Sequence, residues 1–144
     1  MSQPPSVIGL DIGKARVGVA RALWPDGIAV PLTVLDNDSA LGPELKRLAE
    51  EEGSVIIVAG LPRSLNGGET AQTAYTLEVV EKLKRDLAQT IYLQDEAATS
   101  LKAEAELGAR KKPYSKKDID SLSAVYILED FLAAHPKGRG IIDA

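Results

Sequence analysis

The feature that most constrains this chain is a change of hydrophobic period after Leu35. Upstream, apolar residues come in short runs cut by turn residues; downstream, they recur at helical spacing between short strand-like runs. Upstream, the pattern predicts strands over Val7–Gly13, Arg16–Leu23 and Ile28–Leu35, joined by "GKAR" and by Pro25, Asp26 and Gly27. Pro31 cannot donate a ladder hydrogen bond, so it marks the third strand as an edge or bulged one. Downstream, Leu41–Glu51 repeats leucine at helical spacing and stops before Gly53, and "SVIIVAG" (Ser54–Gly60) is apolar throughout, as a buried parallel strand is. A helix is predicted over Glu69–Ala88, with Ala74, Leu77, Val80, Leu83 and Leu87 inward. A strand follows over Thr90–Glu96, then helices over Ala97–Leu107 and Lys116–Ala133.

The resulting order, β-β-β-α-β-α-β-α-α, allows few topologies. An antiparallel three-strand meander continued by α-β crossovers gives a mixed five-stranded sheet, its last two strands parallel, with helices on both faces. This is the strand–helix order of the ribonuclease-H-like fold, in the α/β class. A length of 144 residues suits one domain, here placed at 7–134, with a flexible leader (1–6) and a tail (135–144). Neither repeats nor low-complexity segments interrupt it.

Composition excludes some classes. No cysteine is present, so a disulfide framework and a thiolate metal site are both ruled out. The leader "MSQPPS" lacks an apolar core and no run reaches membrane-spanning length, so a cytoplasmic protein without membrane association is expected. The net charge of −4 excludes a uniformly basic coat. It leaves room for a local basic patch beside an acidic site.

Three acidic positions carry candidate chemistry. Asp11 interrupts the apolar stretch "VIGLDIGKARVGVA", where a buried carboxylate needs a partner or a cation. Alternation puts Val7, Gly9, Asp11 and Gly13 on one face, opposite Ile8, Leu10 and Ile12. The small residues Gly9, Gly13, Gly18, Ala20 and Ala22 are expected to leave open space around the carboxylate for a cation and a phosphate. Pairing with Lys14 or Arg16 is the structural alternative. Asp95 and Glu96 end a strand, where α/β sheets bind ligands, and alternation sends them to opposite sides. Helix capping explains either equally well. In "YSKKDIDSLSAVYILEDFL", Ser115 and Asp118 form a capping-box pair with Tyr114 and Ile119 at the staple positions, so Asp118 has a structural role. Asp120 has no such capping role, and Ala124 and Ile127 follow on its side of the helix; a solvated helix acid is the structural alternative. Separated acids of this kind suit hard divalent cations such as Mg²⁺ or Mn²⁺, which take oxygen ligands and act in pairs on phosphates.

Basic residues are grouped as a polyanion would require. Arg110, Lys111, Lys112, Lys116 and Lys117 surround the start of the last helix, and Lys14, Arg16 and Arg63 lie on loops at or near strand ends. A solvated loop is the competing explanation. Tyr114 suits base stacking or a helix staple, "NGG" (Asn66–Gly68) offers backbone N–H groups before a helix, and His135, in a polar tail, is given no catalytic role.

Taken together, these segments resemble the YqgF/RuvX family of pre-16S rRNA nucleases and Holliday-junction-resolvase-like proteins. "GLDIGKARVGVA" is similar to its opening strand pair. "IIVAGLPRSLNGGE" is similar to its strand and Gly-Leu-Pro loop, "LQDEAATSLKAE" to its Asp-Glu-Arg-x-Ser/Thr motif and "DIDSLSAVYILEDFL" to its final helix. The resemblance covers nearly the whole chain. It implies a two-metal nuclease using Mg²⁺ or Mn²⁺, with an acidic triad at Asp11, Glu96 and Asp120 and hydroxyl positions at Thr99 and Ser100. Where the family has Arg, this chain has Ala97, so a phosphate contact or salt bridge of the family is missing. The implied activity is hydrolysis of phosphodiester bonds in structured RNA or DNA, with pre-16S rRNA processing or Holliday-junction-type substrates foremost. A non-catalytic RNA-binding or ribosome-assembly factor keeping the fold is the alternative. The partner is nucleic acid, either RNA or branched or single-stranded DNA. Monomer and homodimer stay open; junction cleavage would favour a twofold dimer.

Overall fold

The computed structural model describes residues 5–24, 27–64, 66–96 and 99–135. The meander comprises β1 (Ser6–Ile12), β2 (Arg16–Leu23) and β3 (Val30–Asp36). It is followed by α1 (Leu41–Glu52), β4 (Ser54–Pro62), α2 (Ala71–Asp86), β5 (Thr90–Glu96), α3 (Thr99–Ala109) and α4 (Lys116–Ala134). The five strands form one sheet in the order β3-β2-β1-β4-β5. The pairs β1–β2 and β2–β3 are antiparallel, while β1–β4 and β4–β5 are parallel. The expected ribonuclease-H-like arrangement is therefore the observed one.

Element ends differ from expectation for identifiable reasons. β1 begins one residue early because Ser6 is buried, donating from Oγ to the Glu52 carbonyl at 2.7 Å and lying 3.1 Å from Ser54 Oγ. β3 begins two residues late, since Ile28 stays 83% exposed. Pro31 sits opposite Ala20 at a register shift on an edge strand, where a missing N–H is tolerated. α2 begins at Ala71 because Thr70 and Thr73 make a reciprocal capping box. Its inward face is also rotated: Thr73, Thr76, Val79, Val80 and Leu83 are buried, whereas Ala74 and Leu77 are exposed. The Thr73 hydroxyl donates to the Pro62 carbonyl and turns that edge of the helix onto the sheet. Ala97 lies outside the described residues, as do the side chains of Thr99 and Ser100, which open α3.

The two faces of the sheet are covered differently. On one, Ile8, Leu10, Ile12, Val17, Val19 and Ile57 pack against Leu41, Leu45 and Leu48 of α1 and Val79, Val80 and Leu83 of α2. On the other, α4 crosses the strands diagonally. Lys117 lies by Val34 of β3, the Asp120 backbone over Gly18 of β2, and Ala124 and Leu128 over Gly9 of β1. Ile127 lies on Gly60 of β4, and Phe131 against Tyr92 of β5. A Cβ on Gly18 would stand 2.0 Å from the Asp120 carbonyl oxygen, so glycine there is what permits the crossing. The space around Asp11 that small residues were expected to leave for ligand is thus largely taken by α4. His135 closes this face: it stacks edge-on to Tyr92, with ring centres 4.9 Å apart, and packs on Phe131.

Candidate active site

Strand alternation and register bring two acids to one face. Asp11 pairs with Gly18 across β1–β2, and Glu96 pairs with Pro62 across β4–β5. Gly9, Val58 and Tyr92 stand in register on the α4 face, so Asp11 on β1 and Glu96 on β5 point to that same face, at the carboxyl ends of parallel strands. Asp95 points the other way and pairs with Arg63 Nε at 3.2 Å. Only one member of the Asp95–Glu96 pair therefore joins Asp11. Asp120 reaches the same edge from α4.

The electrostatics of these carboxyls are unusual. Asp11 is half-buried and makes no ion pair among the described residues. Burial pushes its carboxyl up to about 7, and the neighbouring Asp120 adds to the rise. Glu96 is 8% exposed, and its Oε1 is buried without a hydrogen-bond partner among the described residues. Burial foremost, then the Asp130 carboxyl against it, push Glu96 up to about 8; Lys102 acts in the opposite sense, and Asp11 adds a smaller rise. Asp120 differs. Arg16 Nε donates to its Oδ2 at 2.8 Å, both side chains being about three-quarters buried. The β1–β2 turn that presents Arg16 is braced by Gly13 N–H on the Arg16 carbonyl at 2.9 Å and by Asn37 Nδ2 on the Gly13 carbonyl at 2.7 Å.

The donor set fits hard divalent cations in chemistry: it is all carboxylate, and one oxygen is desolvated and orphaned. In position it is incomplete. Among the described residues no three acids converge closely enough to hold one ion, and Asp120 is held by Arg16. Asp130 and Lys102 were not singled out from sequence. The only available signal was that Asp130 follows the buried Ile127 by one helical step, and Glu129 beside it carries the same charge.

The basic residues divide into two groups. Arg16 is paired with Asp120; Arg63 bridges Asp95 and Glu69; Arg110 is paired with Glu106 one turn back on α3. Lys14, Lys111, Lys112, Lys116 and Lys117 are exposed. Lys111 adopts φ 55° just past α3, the left-handed geometry that ends a helix. A cleft of about 530 Å³ between α3 and the start of α4 is lined by Arg110, Lys112 and Tyr114, but also by Glu106, Asp118 and Glu129, and includes neither Asp11 nor Glu96. Ser115 and Asp118 form the expected capping box. The "NGG" loop is turned inward: Gly67 N–H bonds the Ser64 carbonyl at 2.8 Å, and Gly68 N–H bonds Ser64 Oγ at 3.0 Å.

Two resolvases are among the solved structures that match this fold. Thermus thermophilus RuvC matches with a TM-score of 0.53 at 12% identity, covering 92% of this chain and 97% of that one. The fowlpox virus resolvase, solved with Holliday junction DNA, matches with a TM-score of 0.57 at 7% identity, covering 92% and 99%. These likenesses place the fold in the ribonuclease-H-like class. Sequence narrows it further. The family model described as RuvX, Holliday junction resolvase, matches residues 5–134. A Sulfurihydrogenibium sp. (strain YO3AOP1) protein named "Putative pre-16S rRNA nuclease" is 43% identical over 129 residues, 88% of each chain. One of the same name from Gloeothece citriformis (strain PCC 7424) is 33% identical over 136 residues, 92% of this chain and 90% of that one. The chain belongs to the RuvX family.

Proposed function

We propose that the protein is a divalent-metal-dependent nuclease whose substrate is structured RNA, with ribosomal RNA precursors the first candidate. The observation that carries this reading is a pair of carboxyls, half-buried Asp11 and buried Glu96, aligned on one face at the ends of β1 and β5, with a Glu96 oxygen that has no hydrogen-bond partner among the described residues. The names of the relatives point to precursor rRNA. A four-way DNA junction is the second reading, favoured by the description of the family model.

Asp11, Glu96 and Asp120 would hold the cations, with Asp130 against Glu96. Mg²⁺ or Mn²⁺ bound there would offset phosphate charge and activate a water for in-line attack on phosphorus. The chain's own contribution is separable. Desolvation raises both carboxyls toward the neutral range, so Asp11 and Glu96 would have to give up protons for a cation to bind. Lys14 at the β1–β2 turn and Lys111, Lys112, Lys116 and Lys117 around the start of α4 supply exposed positive charge for the polymer backbone.

The test is one cleavage panel: labelled precursor rRNA, single strands and a four-way DNA junction, each with Mg²⁺ or Mn²⁺. Precursor RNA is expected to be cut in a metal-dependent way, leaving 5′-phosphate ends, and Asp11→Asn to be inactive. Equal cutting by Asp11→Asn and the parent would overturn the reading. Tight RNA binding without cleavage in either metal would favour a binding factor instead.

A further inference from the structure

Arg16 stands in an unusual place for a residue expected to touch nucleic acid. It opens β2 and lies two residues before Gly18 on the α4 face, the face that carries Asp11. Its guanidinium bonds Asp120 across 104 residues of sequence, and neither side chain is more than 28% exposed. Asp11, close to Asp120, makes no ion pair among the described residues. Among the described residues the Arg16 guanidinium pairs with Asp120 alone. A carboxylate oxygen that accepts a charged hydrogen bond is a poorer ligand, and a guanidinium next to a dication is repelled by it.

We propose that Arg16 is the internal counter-cation of Asp120 and competes with the divalent ion for it, so that loading the site frees the guanidinium for the polymer's phosphates. Arg16 is in this sense a positioning residue, acting through Asp120. It keeps the acidic edge folded without metal and weakens metal affinity. The release connects metal binding to substrate binding: a phosphate that takes the guanidinium leaves Asp120 to the ion, and an ion on Asp120 offers the guanidinium to a phosphate. By linkage, each then strengthens the other. This inference rests on the metal-site reading given above.

The experiment is Mn²⁺ titration by calorimetry, without nucleic acid, on the full chain and on Arg16→Gln, Arg16→Lys and the double variant Arg16→Gln/Asp120→Asn. Arg16→Gln is expected to bind Mn²⁺ about tenfold tighter, as loss of a charged hydrogen bond of roughly 1.5 kcal/mol implies. Arg16→Lys should stay near the parent, and the double variant should lose the gain. Unfolding followed without metal should show Arg16→Gln melting below the parent and recovering on Mn²⁺ addition. Unchanged or weaker Mn²⁺ affinity in Arg16→Gln would overturn the proposal, as would a gain that survives in the double variant. If Arg16→Gln does not fold, the parent decides: the Arg16 Nε–H resonance should lose its hydrogen-bonded shift on Mg²⁺ saturation, and an unmoved signal refutes release. Parent and variants that all fail to bind Mn²⁺ would remove the metal-site reading itself. Equal binding with intact cleavage would remove only the role of Arg16.

Discussion

The two faces of β1 are built from the same strand and do opposite work. Ile8, Leu10 and Ile12 face α1 and α2 and are essentially inaccessible, so that face is a dry aliphatic layer. Val7, Gly9 and Asp11 face α4, and there the strand carries a glycine under a helix backbone and a carboxyl raised by burial. One face is packed for stability. The other gives up side-chain volume and carries a carboxyl with no ion pair among the described residues, the kind of perturbed group that clusters at functional sites.

Substitutions at adjacent residues separate the two roles most sharply. Asp11→Asn should reduce cleavage at least about a hundredfold while the metal-free melting temperature holds or rises, because a neutral amide avoids the cost of desolvating a carboxylate there. Leu10→Ala, one residue away on the other face, should cost about 2–5 kcal/mol in denaturant unfolding yet leave cleavage per folded molecule unchanged. Stability lost in the first variant, or cleavage lost in the second, would erase the distinction. Gly18→Ala should follow at roughly 1–3 kcal/mol, since its methyl group meets the Asp120 backbone and α4 must shift. A fall in activity greater than the fall in folded fraction would show that the crossing of α4 sets the acid geometry.

A smaller effect is expected from pH. In the folded protein Asp11 and Glu96 keep their protons up to about 7 and about 8, whereas the unfolded chain releases them near the ordinary carboxyl values of 3.8 and 4.5. Between these limits the folded state binds more protons, so stability falls as pH rises from the carboxylate range to about 8 and levels above it. Metal-free unfolding should register a loss of stability between pH 5 and pH 8, and Asp11→Asn should flatten part of it. A stability that rises over this window would contradict the assigned burial. Least in magnitude, replacing Lys111, Lys112, Lys116 and Lys117 by Gln should weaken RNA binding and lower its dependence on salt, with melting temperature unmoved.

Much of this was legible in order and period. The change after Leu35 predicted the mixed sheet, and the "SxxD" at Ser115–Asp118 predicted a cap that the structure contains. Other features were not legible. The inward face of α2 turned on the Thr73 hydroxyl reaching the Pro62 carbonyl, which hydrophobic spacing does not encode. Small residues flanking Asp11 suggested open space; a helix occupies most of it, because glycine invites backbone as readily as ligand.

Alternation along a strand is a local property, and it suffices to put Asp11 opposite Leu10 and to separate Glu96 from Asp95. Nothing local says how far apart those carboxyls lie or what else reaches them. That Arg16 meets Asp120, and that Asp130 comes against Glu96, follows from the angle at which α4 crosses five strands. That angle is set by side-chain volume at Gly18, Gly9 and Gly60, residues far apart in sequence that act only once the sheet has formed.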